Sequence, residues 1–347
     1  MPLTNPWRKP KLMITYSEQY LDWQLGNGDG THPTNPVRAK LATQKLVARL
    51  GKRNVVIADP APLRKQRKDL IAVQSVHTPK YVHQVLAGNS SEWNGTRPQM
   101  GKTALAMFGG TVRLVEAMIA GKIRVGFNPQ GAKHHAYADH SSGFCVFNDM
   151  AWAAIELKKA GFIPLYIDWD IHAGDGVQAV LADTDIPTIS IHNGQQFPFA
   201  TPSPTRDPAR SGERHEFSDL SRHFYNLNVL NGDGDEAFKR AIDRAAEIID
   251  EYQPTVILLA AGADGHEEAG HLGKLNNYTY QGFEYAAAMV AKAAAKYAKG
   301  RVLIGGAGGY RPLDHTPEIW ARVVQIVHSQ KRLDALLAIP AEARKVR

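Results

Sequence analysis

Residues 165–177 (LYIDWDIHAGDGV) carry carboxylates and an imidazole at a short, regular spacing. Asp168, Asp170 and His172 alternate with apolar residues, and successive side chains of an extended chain point to opposite faces. The spacing therefore predicts that these three side chains share one face, where a carboxylate and an imidazole can bind the same metal ion. A solvated turn that caps a following helix is the alternative explanation, and this segment alone does not decide between the two.

Three further polar groups each follow a predicted strand. His134 and His135 are adjacent; such a pair is often one surface and one core residue, but a neutral histidine beside a metal-activated water also suits general-base chemistry. Asp264 follows the most apolar strand, where a buried carboxylate without a partner would be unfavourable. Tyr310 follows the glycine run 305–309, which lacks the GK[ST] continuation of a phosphate-binding loop. Together these groups form a complete set for metal-assisted hydrolysis.

Short β-rich runs alternate with Ala-rich helical stretches along most of the chain. Strands are predicted at residues 13–16, 55–58, 125–128, 165–170, 188–192, 255–261 and 301–305, and helices at 36–50, 103–120, 148–160, 235–252 and 280–298. The alternation predicts an α/β fold, a three-layer α/β/α sandwich with a mainly parallel sheet in a single domain. In such sheets, ligands bind outside the carboxyl ends of the strands, where the polar groups lie. The Pro-rich stretch 194–214 is predicted to be a functional or disordered loop without helix or strand.

Composition and charge restrict the class of protein. With 44% hydrophobic and 22% charged residues, the 347-residue chain has the composition of a soluble globular protein. We find no apolar run long enough to span a bilayer and no signal-peptide pattern at the N-terminus. The single cysteine, Cys145, excludes an internal disulfide and suits the reducing cytoplasm, which is the expected location. The net charge of +7 is scattered and argues against a specific nucleic-acid partner, while the oligomeric state is not indicated.

The motifs and their order resemble the zinc-dependent histone deacetylase superfamily, which has an arginase-like α/β fold. The resemblance rests on HHA, SGFC and ND, followed by YIDWDIHAGDG, SIH, GAD and GGAGGY, and it covers nearly the whole chain. Residues 20–38 are similar to bacterial deacetylases of the acetoin-utilization type, and less similar to acetylpolyamine amidohydrolases. The resemblance implies one catalytic domain over residues 1–347 with its core at about 13–335.

The resemblance also implies a role for each matched residue of the centre. The implied ligands of zinc, with Fe²⁺ as the alternative metal, are Asp170, His172 and Asp264. His135 would be the general base for the attacking water, with Asp175 orienting it. His134, paired with Asp168, would act electrostatically or as a general acid. Tyr310 would polarise the acyl carbonyl and stabilise the oxyanion.

Two further sites follow from the same resemblance. A structural potassium ion would be bound by Asp168, Asp170, His172, Ser190 and Ile191. The substrate tunnel would be lined by Gly143, Phe144, Phe197, Phe199 and Gly308. The carboxylate that grips the substrate backbone at the tunnel rim has no clear match, because residues 86–101 offer only Glu92.

The implied activity is removal of an acetyl or other short acyl group from lysine side chains in proteins. An acetylpolyamine or other small acyl-amine hydrolase is the alternative, because Glu267 and Glu268 could attract a cationic amine. They lie in segment 265–275, directly after Asp264, which departs from the usual family pattern. A two-metal arginase-type hydrolase would need a second set of ligands. A non-catalytic acyl-lysine reader would be expected to lack a ligand or catalytic residue.

Overall fold

The structure is a computed structural model that describes residues 12–29, 32–62, 69–198, 213–214, 223–270 and 275–329. The strands are β1 (Leu12–Thr15), β2 (Val55–Ala58), β3 (Val125–Asn128), β4 (Pro164–Asp168), β5 (Thr188–Asn193), β6 (Glu213–Arg214), β7 (Phe224–Val229), β8 (Val256–Ala260) and β9 (Val302–Gly305). The helices are α1 (Val37–Leu50), α2 (Asp69–Gln74), α3 (Pro79–Leu86), α4 (Pro98–Ile119), α5 (Asp149–Lys159), α6 (Asp175–Leu181), α7 (Asp235–Tyr252), α8 (Tyr280–Tyr297) and α9 (His315–Ser329). A 3₁₀ helix covers Glu18–Asp22.

All these strands belong to one sheet, in the order β2-β1-β3-β9-β8-β4-β5-β7-β6. Eight strands run parallel to one another, and the two-residue β6 pairs antiparallel with β7 at the edge. Every residue of β4, β8 and β9 is buried. Helices cover both faces of these central strands, which explains why their sequences are continuously apolar rather than alternating.

Successive residues of a central strand face two separate cores. Leu165 and Ile167 of β4 pack with α1, α7, α8 and α9 on one face of the sheet. Tyr166, which lies between them, packs with α3, α4, α5 and α6 on the other face. The predicted three-layer α/β/α sandwich with a mainly parallel sheet is therefore confirmed.

β4 is shorter than the strand that the sequence predicts at residues 165–170. β4 ends at Asp168 rather than at residue 170, because the Asp168 carboxylate accepts a hydrogen bond from the Asp170 backbone N–H at 2.9 Å and turns the chain. Asp170 and His172 thus lie in the turn after the strand. Alternation along an extended strand therefore does not explain how Asp170 and His172 come together. The two side chains do lie close to each other, but within a turn.

Several elements were missed in the sequence. β7 (FYNLNV) contains two asparagines that interrupt its apolar run; Asn226 is buried and accepts a hydrogen bond from Gln178 at 2.9 Å. Stretch 194–214, predicted to lack strands, contributes β6 at its end. The helices α2, α3 and α9 were also not predicted, whereas α7 matches its predicted bounds.

None of the helices in the described ranges combines the length and the apolar character that a membrane crossing requires. The predicted core limit at about residue 335 lies past the last described residue, 329, so the domain bounds stay a prediction.

Candidate metal centre and active site

The polar groups singled out in the sequence meet at one edge of the sheet. β3, β9, β8, β4 and β5 are consecutive neighbours, and polar residues follow each of them. Because parallel strands end at the same edge, the segments after these strands converge there. The structure thereby brings the histidine pair, the three implied metal ligands and the tyrosine of the glycine run to one place.

Asp170, His172 and Asp264 form a compact cluster. One ligand atom from each lies within 4.8 Å of the others. His172 Nδ1 is 3.1 Å from Asp170 Oδ1 and 3.0 Å from Asp264 Oδ2. Both aspartates are buried, and the His172 side chain is 14% exposed. Within the described ranges of the chain, this is the one group of three or more such side chains that could hold a metal ion.

The chemistry of this cluster fits a divalent cation. Burial and the neighbouring Asp170 raise the pKa of Asp264 to about 6, as expected for two carboxylates that share one buried space. Burial alone would lower the pKa of His172, but hydrogen bonds with Asp170 and Asp264 raise it to about 10. The three side chains thus favour a positive charge between them. Two carboxylates and one imidazole suit zinc with an open coordination position, and they suit iron as well.

Backbone N–H groups orient the two carboxylates. Gly308 N donates to Asp170 Oδ2 at 2.6 Å, and Ile171 N donates to Asp264 Oδ1 at 3.1 Å. A Cβ atom on Gly308 would lie 2.5 Å from Asp170 Oδ2 and 2.5 Å from Asp264 Oδ2. Gly308, predicted to line the substrate tunnel, therefore lies directly against two of the implied ligands.

Gly308→Ala is expected to weaken metal binding by about 10–100-fold, the range typical of groups that orient ligands, because the new methyl group must displace both carboxylates. Metal content after dialysis against a graded chelator measures this. Gly234→Ala is the matched control, since its Cβ would be 3.4 Å from the nearest atom and its φ is −109°. Equal metal retention by the two variants would contradict the expected role of Gly308.

His134 pairs with the carboxylate behind it. Its Nδ1 lies 2.8 Å from Asp168 Oδ2, which also accepts a hydrogen bond from the Tyr166 hydroxyl at 2.6 Å. Its Nε2 lies 3.8 Å from Asp170 Oδ1. Although burial alone would lower the pKa of His134, Asp168 and Asp170 raise it to about 9. This imidazole therefore carries a positive charge at neutral pH.

His135 differs from its neighbour. Its Nδ1 lies 2.6 Å from Asp175 Oδ1, and the Tyr137 hydroxyl donates to the other oxygen of that carboxylate at 2.9 Å. Burial and the adjacent charge of His134 lower the pKa of His135 to about 4, so the ring is neutral at neutral pH. Since an ionised carboxylate only accepts, Nδ1 carries the proton and Nε2 keeps its lone pair.

The ND pair that follows SGFC holds the histidine segment in place. Asp149 accepts hydrogen bonds from the backbone N–H groups of Lys133, at 2.9 Å, and Ala132, at 3.1 Å. Asn148 Nδ2 donates to the Ala136 carbonyl at 2.9 Å. The sequence showed this pair only as part of the motif order, and its contacts give it a positioning role.

Tyr310 lies at the same edge of the sheet and packs edge-on against Phe144, with 6.3 Å between ring centroids. Burial, with the nearby carboxylates of Asp264 and Asp170, raises its pKa well above the ordinary value, so the hydroxyl remains a donor. The buried guanidinium of Arg38 donates to the Gly309 carbonyl at 2.5 Å and lies over the Trp320 ring. Arg38 thus fixes the backbone next to Tyr310, a role that its sequence position did not reveal.

Two of the predicted tunnel residues, Gly143 and Phe197, lie against His135. Gly143 and Phe144 have φ values of +51° and +66°, and the turn is closed by pairing of Ser142 with Cys145. A Cβ on Gly143 would lie 2.4 Å from His135 Cδ2 and 3.0 Å from Phe197 Cε1, so only glycine allows this close approach. The rings of Phe197 and His135 meet edge-on, with centroids 5.0 Å apart. Phe199 lies outside the described residues.

The structure also describes residues of the predicted potassium site, the tunnel rim and the segment after Asp264. Ser190 pairs with Asp168 in the register of β5 and β4, which brings together two of the implied potassium-site residues. Glu92, the only rim candidate, accepts a hydrogen bond from the Phe144 backbone N–H at 2.8 Å. Its carboxylate therefore holds the strained turn of the predicted tunnel wall. In the segment after Asp264, Glu268 is exposed and lies 3.0 Å from His315 Nε2.

The arrangement combines a cation site, a neutral imidazole, a charged imidazole and a phenol donor in one place. Such a set can take a proton from water, stabilise an oxyanion and protonate a leaving amine.

The chain was also compared with known protein families. A family model described as the histone deacetylase domain matches residues 32–327.

Two curated relatives illustrate the similarity. The acetoin utilization protein AcuC of Staphylococcus aureus (strain COL) is 27% identical over 337 residues, covering 90% of this chain and 80% of the relative. Histone deacetylase B of Dictyostelium discoideum is 30% identical over 256 residues, covering 67% of this chain and 56% of the relative.

A solved structure shows the same fold. The crystal structure of the HDA15 HD domain superposes with a TM-score of 0.73 at 21% identity, covering 93% of this chain and 91% of that chain. The family model spans most of the sequence, and the motifs on which the resemblance rests lie within the matched region. The chain therefore belongs to the histone deacetylase family, a family of deacetylase hydrolases.

Proposed function

We propose that this protein is a zinc-dependent deacylase that removes acetyl or other short acyl groups from lysine side chains in proteins. The observation that carries the proposal is the Asp170–His172–Asp264 cluster, with both carboxylates buried, beside two histidine–aspartate pairs. Zinc bound there would polarise the acyl carbonyl and make water nucleophilic at neutral pH. Iron is the alternative metal.

The protein residues supply the proton transfers. His135 accepts a proton from the attacking water at Nε2, since its Nδ1–H is held by Asp175 at 2.6 Å. The Tyr310 hydroxyl donates to the acyl oxygen as negative charge develops on it. His134 carries a proton on each ring nitrogen: Asp168 holds the Nδ1–H at 2.8 Å, and the Nε2–H stabilises that charge or is given to the leaving amine.

Substrate access would follow the aromatic walls. Phe144 packs against Tyr310, and Phe197 packs against His135, so an extended alkyl chain between them would bring its acyl group to the centre. The apolar walls suit the methylene stem of lysine, whose burial contributes about 0.8 kcal/mol per methylene group. A potassium ion at the predicted site, with Asp168 opposite Ser190, would support the adjacent turn. The cytoplasmic location stays a prediction.

The second candidate substrate is a small acylated amine such as an acetylpolyamine. The exposed carboxylate of Glu268, in the segment that follows Asp264, favours a cationic amine at the mouth of the site. Its contact with His315 shows that this carboxylate also takes part in local structure.

A substrate panel tests the proposal directly. We expect the purified, zinc-loaded protein to hydrolyse acetyl-lysine and propionyl-lysine peptides with higher kcat/KM than N-acetylated putrescine or spermidine. A hydroxamate that chelates the metal should inhibit both reactions. Turnover of polyamines without turnover of peptides would overturn the lysine assignment. Absence of turnover on every member of the panel would overturn the deacylase assignment itself.

A further inference from the structure

Phe197 lies at the end of a short turn that leaves β5. The ring is 44% exposed, yet it contacts the His135 ring and lies 6.5 Å, between ring centroids, from His172. An exposed aromatic ring at a turn gains little orientation from the core. Contacts outside the hydrophobic core must therefore hold the Phe197 ring over His135 and His172.

A cluster of amide side chains holds this turn. Asn193, the last residue of β5, is buried, and its Nδ2 donates to Asn231 Oδ1 and to Asn276 Oδ1, both at 2.8 Å. Its Oδ1 accepts from the Gln195 backbone N–H at 2.9 Å. Gln196 Nε2 donates to the same Asn231 oxygen at 2.8 Å. The cluster thus joins the Phe197 turn to the loop after β7 and to the segment before α8.

Asn193 also connects this cluster to the metal centre. Its backbone N–H donates to the Ile171 carbonyl at 2.9 Å, directly before His172, and its carbonyl accepts from Gln196 N at 3.1 Å. Both side-chain N–H groups, the side-chain oxygen, and the backbone N–H and C=O are therefore all used. A fully satisfied buried amide has a single favourable arrangement, because any other leaves polar atoms unpaired.

We propose that Asn193 is a positioning residue that sets the location of Phe197 over His135 and thereby the width of the opening through which the acyl group reaches the centre. This inference builds on the proposed deacylase function. With the amide cluster intact, Phe197 remains beside Gly143, where a Cβ would come within 3.0 Å of its ring, and the opening is narrow. Without the cluster, the turn relaxes outward, the opening widens and bulkier acyl groups can pass.

Kinetics of Asn193→Ala and Phe197→Ala, alone and combined, test the coupling. For an acetyl-lysine peptide, we expect each single variant to lose about 10-fold in kcat/KM, mostly through KM, because wall contacts bind substrate and transition state alike. The ratio of butyryl to acetyl turnover should rise in both. The double variant should lose about as much as one single variant, since residues that act through each other are not additive.

Asn226→Ala is the matched control, since Asn226 is another buried asparagine of the neighbouring strand β7 that pairs with the Gln178 amide. We expect Asn226→Ala to leave the ratio of butyryl to acetyl turnover unchanged. Its effect on kcat/KM should simply add to the effect of Phe197→Ala. If Asn193→Ala fails to fold, Gln196→Ala removes one outer bond of the cluster and should shift the ratio in the same direction. Additive effects of Asn193→Ala and Phe197→Ala, or an unchanged acyl ratio, would overturn the inference.

A probe of the ring itself separates this inference from the proposed function. With Phe197→4-fluorophenylalanine, the ¹⁹F resonance should shift or broaden when Asn193→Ala is added, and it should stay unchanged with Asn226→Ala. This readout requires no turnover, so it holds even if no acyl-lysine peptide is hydrolysed. An identical resonance with and without Asn193 would contradict the positioning role.

Discussion

Asp170→Ala is expected to remove the bound metal and hydrolysis together. Asp170 is buried, lies 3.1 Å from His172 Nδ1, and is oriented by the Gly308 N–H at 2.6 Å. Its loss leaves one carboxylate and one imidazole, too few for a three-ligand zinc site with an open position. Loss of a residue that only orients a ligand already lowers metal affinity by about 10–100-fold, so loss of a ligand should lower it by more.

Metal analysis and peptide turnover, measured on the same samples, check this expectation. Asp59→Ala is the matched control: Asp59 also directly follows a parallel strand, but it is exposed, and that strand, β2, is the outermost strand of the sheet, five positions from β4. The control should bind one zinc per chain and hydrolyse normally. Full zinc content or full turnover in Asp170→Ala would mean that the metal site lies elsewhere.

The centre could be predicted from sequence because its residues follow strand ends. Each of the segments that carry His135, Asp170, Asp264 and Tyr310 comes directly after an apolar run that reads as a buried strand. In a parallel sheet all such ends lie at one edge, so order along the chain translates into proximity in space. The family resemblance, now confirmed, then suggested separate roles for residues that spacing alone could only group together.

Residues that position the centre could not be predicted in the same way. Arg38 reaches the Gly309 carbonyl from 271 positions away, and Asn193 reaches Asn276 from 83 positions away. Their contacts depend on how helices and loops pack, and no local period or spacing encodes that. Asparagine at a strand end also occurs commonly in turns, so the sequence alone favours a turn residue over a network centre.

The early end of β4 also depends on a contact that the alternation pattern does not encode. The sequence predicts a strand to residue 170, and the alternation of apolar and polar residues continues past Asp168. The carboxylate of Asp168 competes for the Asp170 backbone N–H and ends the strand, as aspartate side chains often do. Asp168 consequently turns towards His134, while Asp170 and His172 turn towards Asp264.

Removal of the proposed general base, His135, should slow proton transfer without removing the metal. We expect His135→Ala to lower kcat by about 10²–10⁴-fold, the usual contribution of a positioned general base. Its metal content should stay normal, because His135 is not among the three implied ligands. His83→Ala, which removes an exposed histidine on α3, is the matched control and should retain wild-type kcat.

Measuring kcat and metal content together separates the base from the ligands. A variant that keeps its zinc but loses turnover identifies a group that acts on the reacting atoms, whereas joint loss identifies a ligand. If His135→Ala retained wild-type kcat, the base would have to be another group, and His134 would be the next to test. Its pKa, raised to about 9 by Asp168 and Asp170 against the effect of burial, leaves that ring protonated at neutral pH. A protonated imidazole cannot accept a proton, which is why we propose His135 rather than His134 as the base.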